Sequence, residues 1–231
     1  MGMSGVGKTF WSSRLASAGF MGYHCDDVIA SRLQNNLGIP MKSVYDTGKW
    51  MGFPYEPGFA EREKQYLALE GEILSEMAET VHKLPVDQNV VIDTTGSAVY
   101  LDRNILRKLK ESVLLVYLAI TPEVHSQMLE EYIKNPRPLI WNRSFYKSPD
   151  ESNESALRRS YSALIVYREA LYEKFSDIKI EYDLHRQSGF RVTDFVELVR
   201  HAAQQMGNAR RGLSPLHRPL DKRWLDTFTD K

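Results

Sequence analysis

The segment Gly2-Met3-Ser4-Gly5-Val6-Gly7-Lys8-Thr9 constrains this chain more than any other. It satisfies Gly, four residues, Gly-Lys-Ser/Thr at every required position, the P-loop pattern. Glycines let successive backbone N–H groups turn inward around phosphate oxygens with no Cβ in the way. Phe10, Trp11, Leu15 and Ala16 carry a helical apolar spacing directly behind the loop, and the free N–H groups and dipole of a helix start favour an anion. Gly2, Ser4, Gly5, Val6, Gly7, Lys8, Thr9 and Phe10 are therefore the expected nucleotide-binding residues. Lys8 would reach the β- and γ-phosphates as a catalytic residue, and Thr9 would offer its hydroxyl to Mg²⁺.

The context of the motif is unusual. A P-loop normally follows a buried β-strand, and only Met1 precedes Gly2. A sheet without its central strand would leave two rows of backbone donors and acceptors unpaired. The expectation is a sequence lacking its true N-terminus, with Met1 or Met3 internal, rather than a fold that has lost the strand.

The 231 residues suit one domain, or one domain with appendages. A formal net charge of zero gives no argument for nucleic acid or an acidic membrane. No apolar run approaches the roughly 20 residues that span a bilayer, and there is no basic-then-apolar leader pattern. A single cysteine, Cys25, excludes an internal disulfide and a cysteine-based zinc cluster. The expectation is a cytoplasmic protein with a small-molecule partner.

Along the chain, Gly22 to Cys25 reads as a short strand with Asp26 and Asp27 at its carboxyl end. Those aspartates either cap a helix over 28–37 or serve a site, since ligands of open α/β sheets bind outside the carboxyl ends of strands. An aromatic loop follows (Tyr45, Trp50, Phe53, Tyr55), to pack on the next helix or wall an acceptor pocket. A long helix over about 58–84 carries Glu63 and Glu70 on or near its apolar stripe, Glu63 being the better candidate to orient a site residue. Asn89 to Asp93 reads as a buried strand ending in a carboxylate. With the loop upstream this is a Walker-B pattern, which makes Asp93 a candidate metal residue beside Thr9. Thr94 to Ser97 is a small polar loop that could hold an acceptor. The apolar run 113–120 is the clearest strand. Thr121-Pro122 opens a helix ending near Asn135. The segment from about 135 to 153 holds Arg137 and Arg143, either on a solvated loop or swinging over a nucleotide. Arg168 lies on the buried stripe of the helix 155–175, where a guanidinium needs an anion: a carboxylate such as Glu63, or an acceptor's carboxylate or phosphate. A last strand covers 178–182 and a last helix 193–205. After residue 206 the pattern fades into a tail, disordered or docked by Trp224 and Phe228.

Strands and helices alternate, and from Gly2 to about Asp183 the chain resembles the shikimate kinase family, with one insertion in the aromatic loop. The resemblance rests on the P-loop, on Asp27, on Gly58-Phe59-Ala60-Glu61-Arg62-Glu63, on Thr95-Gly96-Ser97-Ala98-Val99, on Arg137-Pro138-Leu139 and on Arg168 with Tyr172. It implies a three-layer α/β P-loop NTPase fold, a parallel sheet with helices on both faces, here missing its first strand. It also implies an ATP- and Mg²⁺-dependent kinase domain over 1–206 with a lid at 135–153. By resemblance Asp27 contacts the acceptor hydroxyl as a catalytic and substrate residue. Gly96, Ser97 and Arg168 bind the acceptor, and Arg137 acts in catalysis and nucleotide binding. Two departures stand out: Ala60 replaces the family's first acceptor-binding arginine, and Thr-Gly-Ser replaces its triple glycine. Losing one arm of a bidentate clamp removes a contact worth ~2–3 kcal/mol. The expectation is phosphoryl transfer to a hydroxyl of a small polar or anionic molecule at an altered acceptor site. The alternatives are a non-catalytic nucleotide switch or a nucleoside or nucleotide kinase.

Overall fold

The computed structural model describes residues 1–85 and 87–209. The P-loop turns into α1 (Lys8–Ser17) through Gly7, whose φ of 110° is strained for any residue with a Cβ. β1 (Met21–His24) leads directly into α2 (Cys25–Leu37), which Gly38 ends in a left-handed conformation. α2 starts three residues earlier than 28, so Asp26 and Asp27 lie inside its first turn and His24 takes the cap position.

The aromatic segment is not all loop. Val44–Met51 forms a helix, α3, started by a serine cap: Ser43 Oγ accepts from Asp46 N–H and donates to the Asp46 carboxylate at 3.0 Å, which also accepts from Lys42 N–H. The long helix α4 (Phe59–Lys83) follows, then β2 (Val90–Asp93) and α5 (Arg103–Ser112). β3 (Val116–Leu118) precedes α6 (Pro122–Lys134), which Pro122 opens as expected. α7 (Asn153–Phe175), β4 (Ile178–Ile180), α8 (Tyr182–Arg186) and α9 (Val192–Ala209) complete the described chain. α9 runs past residue 206; the rest of the expected tail, with Trp224 and Phe228, lies outside the described residues.

The strands are parallel, as expected, but short, and among the described residues they form two separate pairs rather than one sheet. β1 pairs with β2 in the register His24 to Asp93, and β3 with β4 in the register Leu118 to Ile180. Met1 alone runs beside β3: Leu118 N–H donates to the Met1 carbonyl at 3.0 Å, and the Met1 nitrogen donates to the Val116 carbonyl at 2.6 Å. One residue makes no ladder, so among the described residues the two pairs stay separate. Apolar side chains of α1, α2, α4, α7 and both strand pairs share one core, from Trp11 and Ile29 to Leu74, Leu118 and Ile165. That burial is the main favourable term available to so helical a chain. The segment at 135–152 is anchored rather than free at its root, because Leu139, Ile140 and Trp141 are buried, Trp141 against Tyr132 and Tyr161. No helix among the described residues is long and apolar enough to cross a membrane.

Candidate active site

The P-loop brings Lys8 to the centre of the molecule. Its Nζ donates to the carbonyls of Gly2 and Met3, each at 3.0 Å. Burial pulls its pKa down, against the opposing pull of Asp93 and Asp26. Beside it lies a small cavity of about 20 Å³, bordered by Ser4, Lys8, Asp26, Tyr66, Arg137 and Arg168. The expected acceptor loop, with Gly96 and Ser97, forms part of its wall. Elements far apart in sequence thus meet around one small polar space.

The structure brings Asp26 to that space, and not the expected Asp27. Asp27 is exposed and does not border the cavity. Asp26 does, and its Oδ1 accepts from the Tyr66 hydroxyl at 3.0 Å. The two are neighbours on a helical turn, roughly 100° apart around the axis, so only one can point inward. Burial raises the Asp26 pKa, while Lys8 and the Tyr66 hydrogen bond restrain it. An aspartate so placed is a better proton acceptor than a solvated one.

Arg168 is buried, and no carboxylate lies within ion-pair distance of it among the described residues. It donates to the Ile140 carbonyl at 2.6 Å and, through Nε, to the Tyr100 hydroxyl at 3.1 Å. Glu63, the carboxylate considered as its partner, instead accepts the backbone N–H groups of Trp141 and Asn142, the latter at 3.0 Å, and so holds the root of the 135–152 segment. A buried guanidinium on neutral partners leaves its charge uncompensated, and an anion is the group that would balance it.

Arg137 borders both this cavity and a neighbouring one of about 290 Å³, which is also reached by Ser4, Gly5, Tyr182 and Arg186. The Arg137 Nη2 donates to the Tyr45 hydroxyl of α3 at 3.0 Å, with the guanidinium 5.2 Å from that ring. Gly48 of α3 explains how the helix comes so close: a Cβ there would lie 2.1 Å from the Pro136 carbonyl oxygen. Arg143 is exposed in a left-handed turn with Asn142 and borders neither cavity.

Asp93 is buried at the end of β2, and its only ion-pair partner among the described residues is His24 Nδ1, 3.7 Å away. Thr9 is exposed at the start of α1, as is Phe10, over whose ring the Arg14 guanidinium sits at 4.6 Å. Val6 is buried, so it presents backbone rather than side chain. No cluster of three or more His, Cys, Asp or Glu capable of holding a metal occurs among the described residues. Mg²⁺ asks for less, since it keeps waters and phosphate oxygens and needs only one or two protein ligands. Asp93 and Thr9 are oxygen donors of the kind it takes, and neither borders the two cavities described.

A P-loop amine, an aspartate and a guanidinium with no carboxylate in ion-pair distance among the described residues thus border one cavity, with a second cavity across the loop. The shikimate kinase family model matches residues 4–201, and the chain belongs to that family. Membership implies an ATP-dependent kinase acting on a small molecule. No curated protein and no solved structure matches the chain.

Proposed function

We propose that the chain transfers the γ-phosphoryl group of ATP to a hydroxyl of a small acceptor that carries an anionic group. The observation that carries this reading is Arg168, a buried guanidinium with no carboxylate in ion-pair distance among the described residues, on the same cavity as Lys8 and Asp26. The phosphates lie on the P-loop amides, with base and ribose in the larger cavity toward Tyr182 and Arg186. Thr9 and Asp93 would hold Mg²⁺, which supplies charge neutralisation on the phosphates. Lys8 stabilises negative charge on the transferring group, and Arg137, bordering both cavities, is placed to share that role. Asp26 takes the proton of the attacking hydroxyl, in the role the resemblance gave to Asp27, and Arg168 orients the acceptor by its anion. With Ala60 in place of a second acceptor-binding arginine, the acceptor differs from shikimate or is held differently.

The test is acceptor-dependent ADP release by the full chain with Mg·ATP, over a panel of hydroxylated carboxylates and phosphates beginning with shikimate. Label from the γ-phosphate should appear on one acceptor, and Lys8→Ala should lower the rate by at least about 10²–10³-fold. Slow hydrolysis that ignores every acceptor would overturn the kinase reading in favour of a nucleotide switch.

A further inference from the structure

α4 buries one carboxylate completely. Glu70 has no cation within ion-pair distance among the described residues, an expensive arrangement for an ionised group. Its two oxygens meet the hydroxyls of Thr95 and Ser97, the latter at 2.6 Å, and those hydroxyls meet each other at 3.0 Å. These oxygen-to-oxygen contacts close a ring, and each side of it needs a proton. An ionised Glu70 leaves only the protons of Thr95 and Ser97, so one side would set lone pair against lone pair. A protonated Glu70 supplies the missing proton.

The surroundings agree with that count. Lys8 comes from the P-loop, Cys25 and Asp26 from α2, Tyr66 from α4 itself, and Arg168 and Tyr172 from α7. Burial dominates and pushes the Glu70 carboxyl up to about 8 against the opposing Ser97 hydrogen bond, with Asp26 adding to the rise and Arg168 and Lys8 also opposing it. The loop in front is tied elsewhere too: Ser97 N–H donates to Thr95 Oγ1 at 3.1 Å, and the Tyr172 hydroxyl donates to the Gly96 carbonyl at 2.5 Å.

We propose that Glu70 is a positioning residue held as a neutral acid, which locks the hydroxyls of Thr95 and Ser97 into the acceptor wall and adds no negative charge there, so that the cavity selects an acceptor bringing its own anion. The inference deepens the phosphotransferase reading and rests on it for the word acceptor. Because the ring consumes the loop's hydroxyl protons, discrimination falls to the cations opposite. An ionised Glu70 would compete with the acceptor's anion for the field of Arg168 and Lys8.

Infrared pH titration of the full chain, with the Glu70→Gln variant subtracted, reads the carboxyl directly. The expected result is a protonated-acid band at neutral pH that disappears with a midpoint near 8; an ionised carboxylate at neutral pH overturns the proposal. Glutamine carries amide protons and a carbonyl, so it can close the same ring and keep the loop in place. With shikimate and malate as probe acceptors, the wild-type acceptor KM should rise roughly tenfold one pH unit above the midpoint. The KM for ATP should hold, and Glu70→Gln should show no rise. An equal rise in both proteins also overturns the proposal. Failure to phosphorylate either probe counts against the kinase reading, while the infrared titration still decides the state of Glu70.

Discussion

Asp26 and Asp27 sit side by side in the first turn of α2, and only the phase of that helix decides which one enters the cavity. Sequence reading places a carboxylate at the end of β1, but not its direction, because moving the helix start from 28 to 25 rotates the whole turn. Asp26→Asn is expected to lower kcat by roughly 10²–10⁴-fold, whereas Asp27→Asn leaves it within about twofold; steady-state rates with a working acceptor check both. Glu70 was visible as a polar residue near the apolar stripe of α4, but its partners lie 25 and 27 residues away, beyond any local pattern. Its raised pKa has a consequence for stability. The folded chain keeps a proton that the unfolded chain releases, so stability falls as pH rises from about 4.5 toward about 8 and levels off above. Relative to Glu70→Gln, the wild type should lose up to about 1.4 kcal/mol per pH unit across that window, measured by urea unfolding.

Among the elements, α1, α4 and α7 follow from apolar periodicity, because each buries one face along much of its length. α3 does not, since its aromatics dominate the segment and two glycine-bearing turns follow at residues 52 and 58. The signal for it was present in Ser43-Val44-Tyr45-Asp46, a serine three residues ahead of an acidic side chain. β3 occupies only the middle of the apolar run 113–120, although hydrogen bonds from Asp177 to Leu115 and from Ala119 to Ile180 continue the pairing at both ends. The seat of α3 is testable. A methyl group at residue 48 has no room against the Pro136 carbonyl, so Gly48→Ala should destabilise the chain by about 1–3 kcal/mol in a urea titration. An unchanged midpoint would mean that α3 does not rest on residues 136 and 137 in solution.

At the scale of the whole molecule, the P-loop was readable because its chemistry is local. The meeting of Lys8, Arg137 and Arg168 was readable only through resemblance, which set Asp27 rather than Asp26 beside them, since nothing within any one segment brings them together. The parallel sheet that the resemblance implies, without its first strand, takes the form of two parallel pairs among the described residues, with Met1 beside one of them. Arg137 spans what those elements separate. It touches both cavities and holds Tyr45, so one side chain answers to whatever occupies either space. Two ligands that tug on the same guanidinium cannot bind independently, and thermodynamics requires each to change the other's dissociation constant by one common factor, typically ~5–150 for coupled sites. Calorimetry of a non-hydrolysable ATP analogue and of the acceptor, each alone and over the saturating other, should return that single factor, and Arg137→Met should bring it close to unity. The enzyme would then sense a complete pair of reactants through one residue, and commit to neither in isolation.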